Sequence, residues 1–507
     1  MIESVNKSLT SKDVDWFIFG TGSAILLTVV LIILIAPQAS SLVIQQLYDF
    51  VTIRVGVIYI ITAILTLGFL LWLALSHHGR VVLGDSNIPE HSTFSWASML
   101  FCAGIGASLI YWGATEWAFY YVAPPFGLAP ESDAAIGWAA SYGIFHWGPV
   151  GWAFYCLPAV ALGCSYHLKK IPSLRLSAAC SAVLKSRTEQ WPGRVIDLLF
   201  IVGLLGTAAT GLGFGTSVVS SAVTALTGVE DSIGLQAVII AIATGMISYS
   251  VYRGLDKGIK VLSSINAGLA LLLIAFVFIA GPTVFILEMG VTSIGRVIQE
   301  FFQMLTWTDP LQRSDFVESW TVFYWAWWLA MGPFVGMFVC KISRGRSIRQ
   351  VVFGMLGWGS LGCALFFIVL GNYALYLEVN GIYAVVDEAV NVGPSTAIAS
   401  IIALLPLGSL WLVFIAVIGL IFMVTTYDSA SYTLAAGATR AMQEHEHPAR
   451  WHRVFWAMGL GLLPLSLLFA GGLRELQTAS MLASIPLVGV YGLLAVSIVR
   501  MLNSQER

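Results

Sequence analysis

Of 507 residues, 58% are hydrophobic and only 10% charged, where a soluble protein carries about 25% charged residues. So much apolar surface cannot be buried in a water-exposed globule; its natural sink is a lipid bilayer, and a soluble enzyme is excluded. Lys and Arg (25) nearly balance Asp and Glu (27), which leaves no cationic excess to neutralise a phosphate backbone and disfavours nucleic-acid binding.

Residues 1–15 are polar and lack a short apolar core with a small-residue cleavage site, so they read as a cytoplasmic tail rather than a signal peptide. Twelve apolar runs follow, at 16–36, 56–76, 94–122, 135–164, 196–223, 233–252, 261–287, 319–340, 351–377, 408–436, 454–471 and 479–499. Each is long enough to cross a hydrocarbon core of about 30 Å. Between the seventh and eighth, residues 289–318 mix Arg296, Glu300, Asp309, Arg313, Asp315 and Glu318 with Phe301, Phe302, Met304, Leu305 and Trp307, which suggests an amphipathic helix along the outer interface. Residues 379–407 read as a partly re-entrant or surface helix.

No connection is long or polar enough for a separate domain. The expectation is an all-α integral membrane protein with one transmembrane domain, 16–499, and a short tail, 500–507. Taken by alternate connections, 21 of the Lys and Arg fall on one side and only Arg54, Arg296, Arg313 and Arg474 on the other, which places both termini in the cytoplasm. The six cysteines stand in or beside apolar runs without CxxC spacing and read as small buried hydrophobes.

Two runs carry breakable backbone: Ala103-Gly104-Ile105-Gly106-Ala107-Ser108 in the third and Met331-Gly332-Pro333-Phe334-Val335-Gly336 in the eighth. Glycine permits unusual backbone geometry and proline removes an N–H; paired breaks at related positions point to a transporter site. If each opens a five-helix unit, repeat one covers about 94–287 and repeat two about 319–499, an inverted five-plus-five arrangement with two additional N-terminal helices. Close helix packing is the plainer reading of such glycines.

The eighth run also holds Phe323-Tyr324-Trp325-Ala326-Trp327-Trp328, and the fourth holds His146-Trp147-Gly148-Pro149-Val150-Gly151-Trp152-Ala153-Phe154-Tyr155. A headgroup belt is the ordinary role of membrane tryptophan. Here Trp147, Trp152 and Tyr155 fall near one helical stripe, and Trp327 and Met331 are four apart beside the glycines. Two aromatic stripes meeting at broken backbone make a cage suited to a quaternary ammonium group, each desolvated ring contact contributing about 2 kcal/mol.

The segments Trp112-Gly113-Ala114-Thr115-Glu116, Phe145-His146-Trp147, Thr321 to Trp328, Ile342-Ser343-Arg344-Gly345-Arg346-Ser347, Asp428-Ser429-Ala430-Ser431 and Gly254-Leu255-Asp256-Lys257-Gly258 together resemble the betaine/carnitine/choline transporter family. The resemblance implies a twelve-helix transporter with the inverted-repeat fold of sodium/solute symporters. It also implies a homotrimer in the bacterial inner membrane, carrying a small onium substrate. By position, Trp147, Trp152, Tyr155, Trp327 and Trp328 match its aromatic substrate box, and Phe119 a position used by carnitine exchangers. Met331 stands where members usually have Trp or Tyr, which softens one wall and leaves room for a sulfonium compound. Ser108 stands where choline-type members carry Asp, which favours a zwitterion such as glycine betaine, carnitine or dimethylsulfoniopropionate over a bare cation.

For a coupling sodium ion the resemblance implies one site from Thr425 and Thr426 with backbone near Cys102 and Ile105, where Ile105 also borders the substrate. A second, at Thr207 and Phe334, has Gly203 in place of a hydroxyl one turn earlier. Val335 stands where sodium-independent exchangers place Met, so sodium symport is expected, with substrate/product exchange or proton-coupled choline-type transport as alternatives. Lys260, where the exchangers place an arginine, reads as a solvated loop lysine; Glu116 reads as a hydrogen-bond acceptor or part of a proton route, and Asp428 as a tether for basic connections or a water-exposed group. The tail Met501 to Arg507 is shorter than the charged helix of osmosensing members, so strong osmotic activation is not expected. No Walker motif, no metal-ligand or triad spacing around His146, and no selectivity ring support an ATP-driven pump, a membrane enzyme or a channel.

Overall fold

The computed structural model describes residues 7–253, 256–442, 446–470, 478 and 481–504. Helices account for nearly all of them: α1 Trp16–Ile35, α2 Pro37–Leu75, α3 Thr93–Ala103, α4 Ala107–Val122, α5 Asp133–His146 and α6 Pro149–Gly163. Then come α7 Trp191–Thr227, α8 Ile233–Arg253, α9 Asp256–Ala280, α10 Thr283–Gln299, α11 Val317–Ile342 and α12 Ile348–Val379. The last are α13 Pro394–Ala403, α14 Gly408–Gly437, α15 Arg450–Ala470 and α16 Met481–Asn503. Among the described residues, eleven runs are long and apolar enough to cross a membrane, and twelve if the bent pair α3–α4 counts as one. This is a multi-span integral membrane protein. Gly254 and Leu255 of the Gly254 to Gly258 motif, and Arg474, fall outside the described residues, as do the side chains of 256–260, Lys260 among them.

The expected segments are present, with shifted edges. Residues 37–55, read as a connection, are helical and run into the second span, so that α2 has 39 residues. At 1.5 Å per residue it is about 58 Å long, well beyond a hydrocarbon core of about 30 Å. Its first part carries Gln38, Gln45, Gln46 and Asp49, and a wide turn at Val51–Val55 separates this polar part from the apolar one. The seventh span ends at Ala280 and not near 287: Gly281-Pro282 stops it, and the Thr283 hydroxyl donates to the Phe278 carbonyl (2.7 Å) left open in the last turn. The amphipathic helix therefore begins earlier than expected, as α10. It buries Ile286, Gly290, Ser293 and Val297 and exposes Val284, Leu287, Val291 and Ile298. In 379–407 only the short α13 is a regular helix of any length, consistent with a segment that does not span.

The long helices α7 and α14 form an antiparallel pair in which glycine lets each backbone come close: Gly211 faces Tyr427, Gly215 faces Met423, and Gly419 faces Val219. α6 and α11 form a second intimate pair, and α16 packs on α6. These two pairs position the site.

At one end of the bundle Lys7–Ser8 pairs as a parallel strand with Glu446–His447, and Asp15 N donates to Ala438 O at 2.8 Å. Arg175 is buried there, 3.2 Å from Asp15 and 3.9 Å from Asp197, with its Nε donating to Thr439 O at 2.8 Å. Asp197 in turn accepts from the backbone and side chain of Ser177 (2.9 and 2.8 Å). Asp428 is buried and lies 3.8 Å from Arg453 in the first turn of α15. The Ser343 to Ser347 motif docks on the start of α3 and the loop before it: Trp96 donates to Ser343 (3.0 Å), Arg346 covers the Trp96 ring (4.3 Å), and Gly345, at φ +80°, sits where a side chain would strike the Ile88 backbone.

Candidate functional site

The two broken segments expected from glycine and proline behave differently. α3 and α4 are bent by 61° at Gly104–Gly106. Gly104 is there for space: a Cβ would lie 2.9 Å from both the Trp152 ring and Cys363 Sγ, so the break is pressed against an aromatic ring. The expected break in the eighth span is absent. α11 runs through Gly332 and Pro333 without interruption, and Gly332 and Gly336 serve close packing: a Cβ on Gly336 would lie 2.8 Å from Ala159 N on α6.

The second break is instead in the fourth span, at Trp147-Gly148. Trp147 caps α5 with φ −95° and ψ 7°, Gly148 is extended, and Pro149 starts α6 at a position where a missing N–H costs nothing. Trp147 therefore does not share a helical stripe with Trp152 and Tyr155. The signal was in the sequence as Gly148-Pro149, since the residue before proline is pushed out of the helical region.

Both breaks and α11 bring the five matched aromatic residues together. Trp328 is the hub, with ring centroids 4.8 Å from Trp147, 5.7 Å from Tyr155 and 4.8 Å from the nearly parallel Trp327. Tyr155 carries the chain on to Trp152 at 5.4 Å. All except Tyr155, which is half-buried, are at most 6% exposed. The Trp328 indole N–H donates to His146 O (2.9 Å), a carbonyl freed by the break, so this ring also caps the helix end beside it.

Beneath the rings lies a buried carboxylate. Glu116 on α4 accepts hydrogen bonds from Tyr120 and Tyr324 hydroxyls and from Trp147 Nε1 (3.1 Å). Tyr120 also contacts His146 Nδ1 (2.9 Å), whose other ring nitrogen is 3.1 Å from Thr321 Oγ1. Donors aimed at a carboxylate offset part of the cost of burying it. Glu116 thereby ties α4, the α5–α6 break and α11 into one unit and fixes the Trp147 ring. The acceptor role expected of it is visible in these three hydrogen bonds.

The remaining expected residues are distributed around this core. Phe119 lies away from the five, reaching them through Trp112 (6.1 Å) and Trp320 (5.6 Å). Met331 is half-buried one turn beyond Trp327 on the intact α11. Ile105 is buried at the first break, and Ser108 is half-buried opposite Gly211 and Tyr427 of the α7–α14 pair. Thr425 is buried on α14 and bonds the Ile421 carbonyl (2.9 Å) of its own helix; Thr426 beside it is half-buried, and Cys102 is the next-to-last residue of α3, just before the break. Thr207 bonds Gly203 O (2.9 Å) on α7, where Gly203 faces Ala330 of α11, and Phe334 is half-buried on α11. The sequence reading missed Tyr111 and Phe214. Phe214 from α7 stands 5.5 Å from Trp327, 5.3 Å from Trp112 and 4.8 Å from Tyr111, closing the side of the cage that neither stripe reaches. Phe214, a single ring in an apolar run, gives no sequence signal that would have found it, whereas Tyr111 stands directly before the Trp112 segment.

The model of a betaine/carnitine/choline family transporter matches residues 17–507. The chain is 36% identical over 424 residues to an uncharacterized transporter, YeaV, of Escherichia coli, covering 83% of this chain and 88% of that protein. It is 32% identical to a carnitine transporter of Acinetobacter baumannii (85% and 79%) and 33% identical to a high-affinity choline transport protein of Escherichia coli (92% and 69%). A bundle of spans built around a buried aromatic cage, matched by this model over almost its whole length, is a transporter and not an enzyme: the chain belongs to the betaine/carnitine/choline transporter family.

Proposed function

We propose that this chain is a secondary transporter that imports a zwitterionic onium compound, such as glycine betaine, carnitine or dimethylsulfoniopropionate, by alternating access coupled to sodium. The observation that carries this reading is the convergence of Trp147, Trp152, Tyr155, Trp327 and Trp328 on one buried cage. An onium group has no N–H to donate, and ring faces attract it electrostatically. Three such contacts give about 6 kcal/mol, in the micromolar-to-millimolar range that lets cargo be released.

A zwitterion also needs a partner for its carboxylate. The buried indole N–H groups of Trp327 and Trp112, both against Phe214, have no acceptor among the described residues. A carboxylate held there would satisfy them, and Ser108 adds no competing negative charge. Thr425, Thr426 and the α3 end near Cys102 and Ile105 supply hard oxygen for sodium, while Gly203 leaves the Thr207–Phe334 position short of one ligand. Because both ligands favour the same closed arrangement, each raises the affinity of the other. In this reading 94–287 and 319–499 are inverted repeats, both termini face the cytoplasm of a bacterial inner membrane, and three copies assemble as a homotrimer.

The test is uptake of labelled glycine betaine, carnitine and dimethylsulfoniopropionate into proteoliposomes of the purified protein, with and without a sodium gradient. Saturable uptake that a sodium gradient accelerates, lost in Trp328→Ala, is expected. Uptake that needs only substrate on the far side would replace symport by exchange; no uptake of any onium compound overturns the proposal.

A further inference from the structure

The two helices that supply the cage each contain a proline, Pro158 in α6 and Pro333 in α11. Proline has no N–H, so the carbonyl four residues earlier loses its partner within the helix. Those carbonyls belong to Phe154 and Leu329, next in sequence to Tyr155 and Trp328 of the cage. One atom from a third helix meets both: Tyr491 Oη on α16 lies 2.8 Å from Phe154 O and 2.9 Å from Leu329 O.

The arrangement is built around that atom. Tyr491 is 2% exposed, so water does not compete for either carbonyl. A Cβ on Gly332 would fall on Tyr491 Oη and come within 2.5 Å of Phe154 O, so only glycine leaves room for the hydroxyl between the helices. The ring itself is seated by Phe154, 6.0 Å away. A hydroxyl carries one proton, and here two carbonyls from different helices share it, which makes their separation part of a single hydrogen-bonding geometry.

We infer that Tyr491 is a positioning residue that sets the spacing of the two proline-containing helices, and with it the distance between Tyr155 and Trp328 in the cage, without reaching the substrate. The inference rests on the proposed function only in taking the cage as the substrate site.

Pro158→Ala and Pro333→Ala restore an N–H to each helix and so give both carbonyls an internal partner. The experiment compares Tyr491→Phe in the native chain and in the Pro158→Ala/Pro333→Ala background, by uptake kinetics of the transported onium compound and by tryptophan emission without substrate. In the native background Tyr491→Phe should raise KM about tenfold, the scale of one buried hydrogen bond, with maximal rate little changed. It should also shift the emission. In the double-alanine background both effects should vanish. A general packing role would give the same change in both backgrounds and overturns the inference, as does an unchanged KM and emission in the native one. If Tyr491→Phe alone does not fold, the triple variant should, because the alanine N–H groups stand in for the hydroxyl; failure of the triple to fold overturns it too. Emission needs no onium cargo, so a shift confined to the native background upholds the inference even where the uptake assay has rejected the substrate.

Discussion

Gly148-Pro149 and Gly332-Pro333 are the same dipeptide in the two helical regions that build one cage, and they do opposite things. The first ends a helix and starts another; the second lies inside α11 without interrupting it. The difference is in what surrounds them. Trp147 is drawn out of the helix by Glu116 and by the Trp328 ring, and the carbonyl this frees at His146 is met by the Trp328 indole. Around Pro333 the freed carbonyl of Leu329 is met by Tyr491 while Gly332 and Gly336 press the helix against α6, so the helical path keeps its partners. A Gly-Pro pair licenses a break, and external donors decide whether it happens.

The largest change is expected from Glu116→Ala, which strands the Tyr324 hydroxyl and the Trp147 N–H and leaves Tyr120 with His146 alone. A loss of about 3–5 kcal/mol in the thermal stability of the detergent-solubilised protein is expected, with Glu116→Gln losing less because it keeps an acceptor. Equal stability for the alanine variant would mean that Glu116 does not hold the break open. Gly332→Val comes next: its side chain occupies the place of the Tyr491 hydroxyl, and overpacking of this kind costs about 3 kcal/mol. Should its melting temperature match the native one, α6 and α11 are not in backbone contact. Trp328→Phe keeps a ring in the cage but removes the donor to His146 O, a loss of about 1–2 kcal/mol with weakened onium affinity. An effect on affinity alone would show that the break needs no cap. The smallest effect is expected at Gly106, which has nothing within 4 Å of a Cβ, in contrast to Gly104 against Trp152 and Cys363. Gly106→Ala should stay within about 0.5 kcal/mol while Gly104→Ala destabilises measurably; a reversed order would assign the α3–α4 bend to glycine flexibility at 106.

The spans were legible because period and length alone satisfy a bilayer, and the five cage residues were legible because they occur in two dense clusters and match a family motif. The stripe through Trp147 was not, since it assumed an unbroken helix where Gly148 is extended. Nor was the intact Pro333, whose fate depends on a tyrosine 158 residues further along the chain. Phe214 escaped for the same reason: a lone ring in α7 acquires meaning only when the α7–α11 contact is known. What sequence pattern misses here is long-range partnership of backbone groups and single rings.

The strand pair of Lys7–Ser8 with Glu446–His447 joins parts of the chain that are made far apart in time. The partners of Lys7 and Ser8, Glu446 and His447, are made 439 residues after them. At about 5–20 residues per second that is roughly 20–90 s of synthesis. Asp15 can pair with Arg175 once that residue has been made, part-way through the interval, yet the strand pairing and the Thr439 contact must wait. Closure of the strand pair is therefore among the last events of folding, completed only when α14 is already in the membrane.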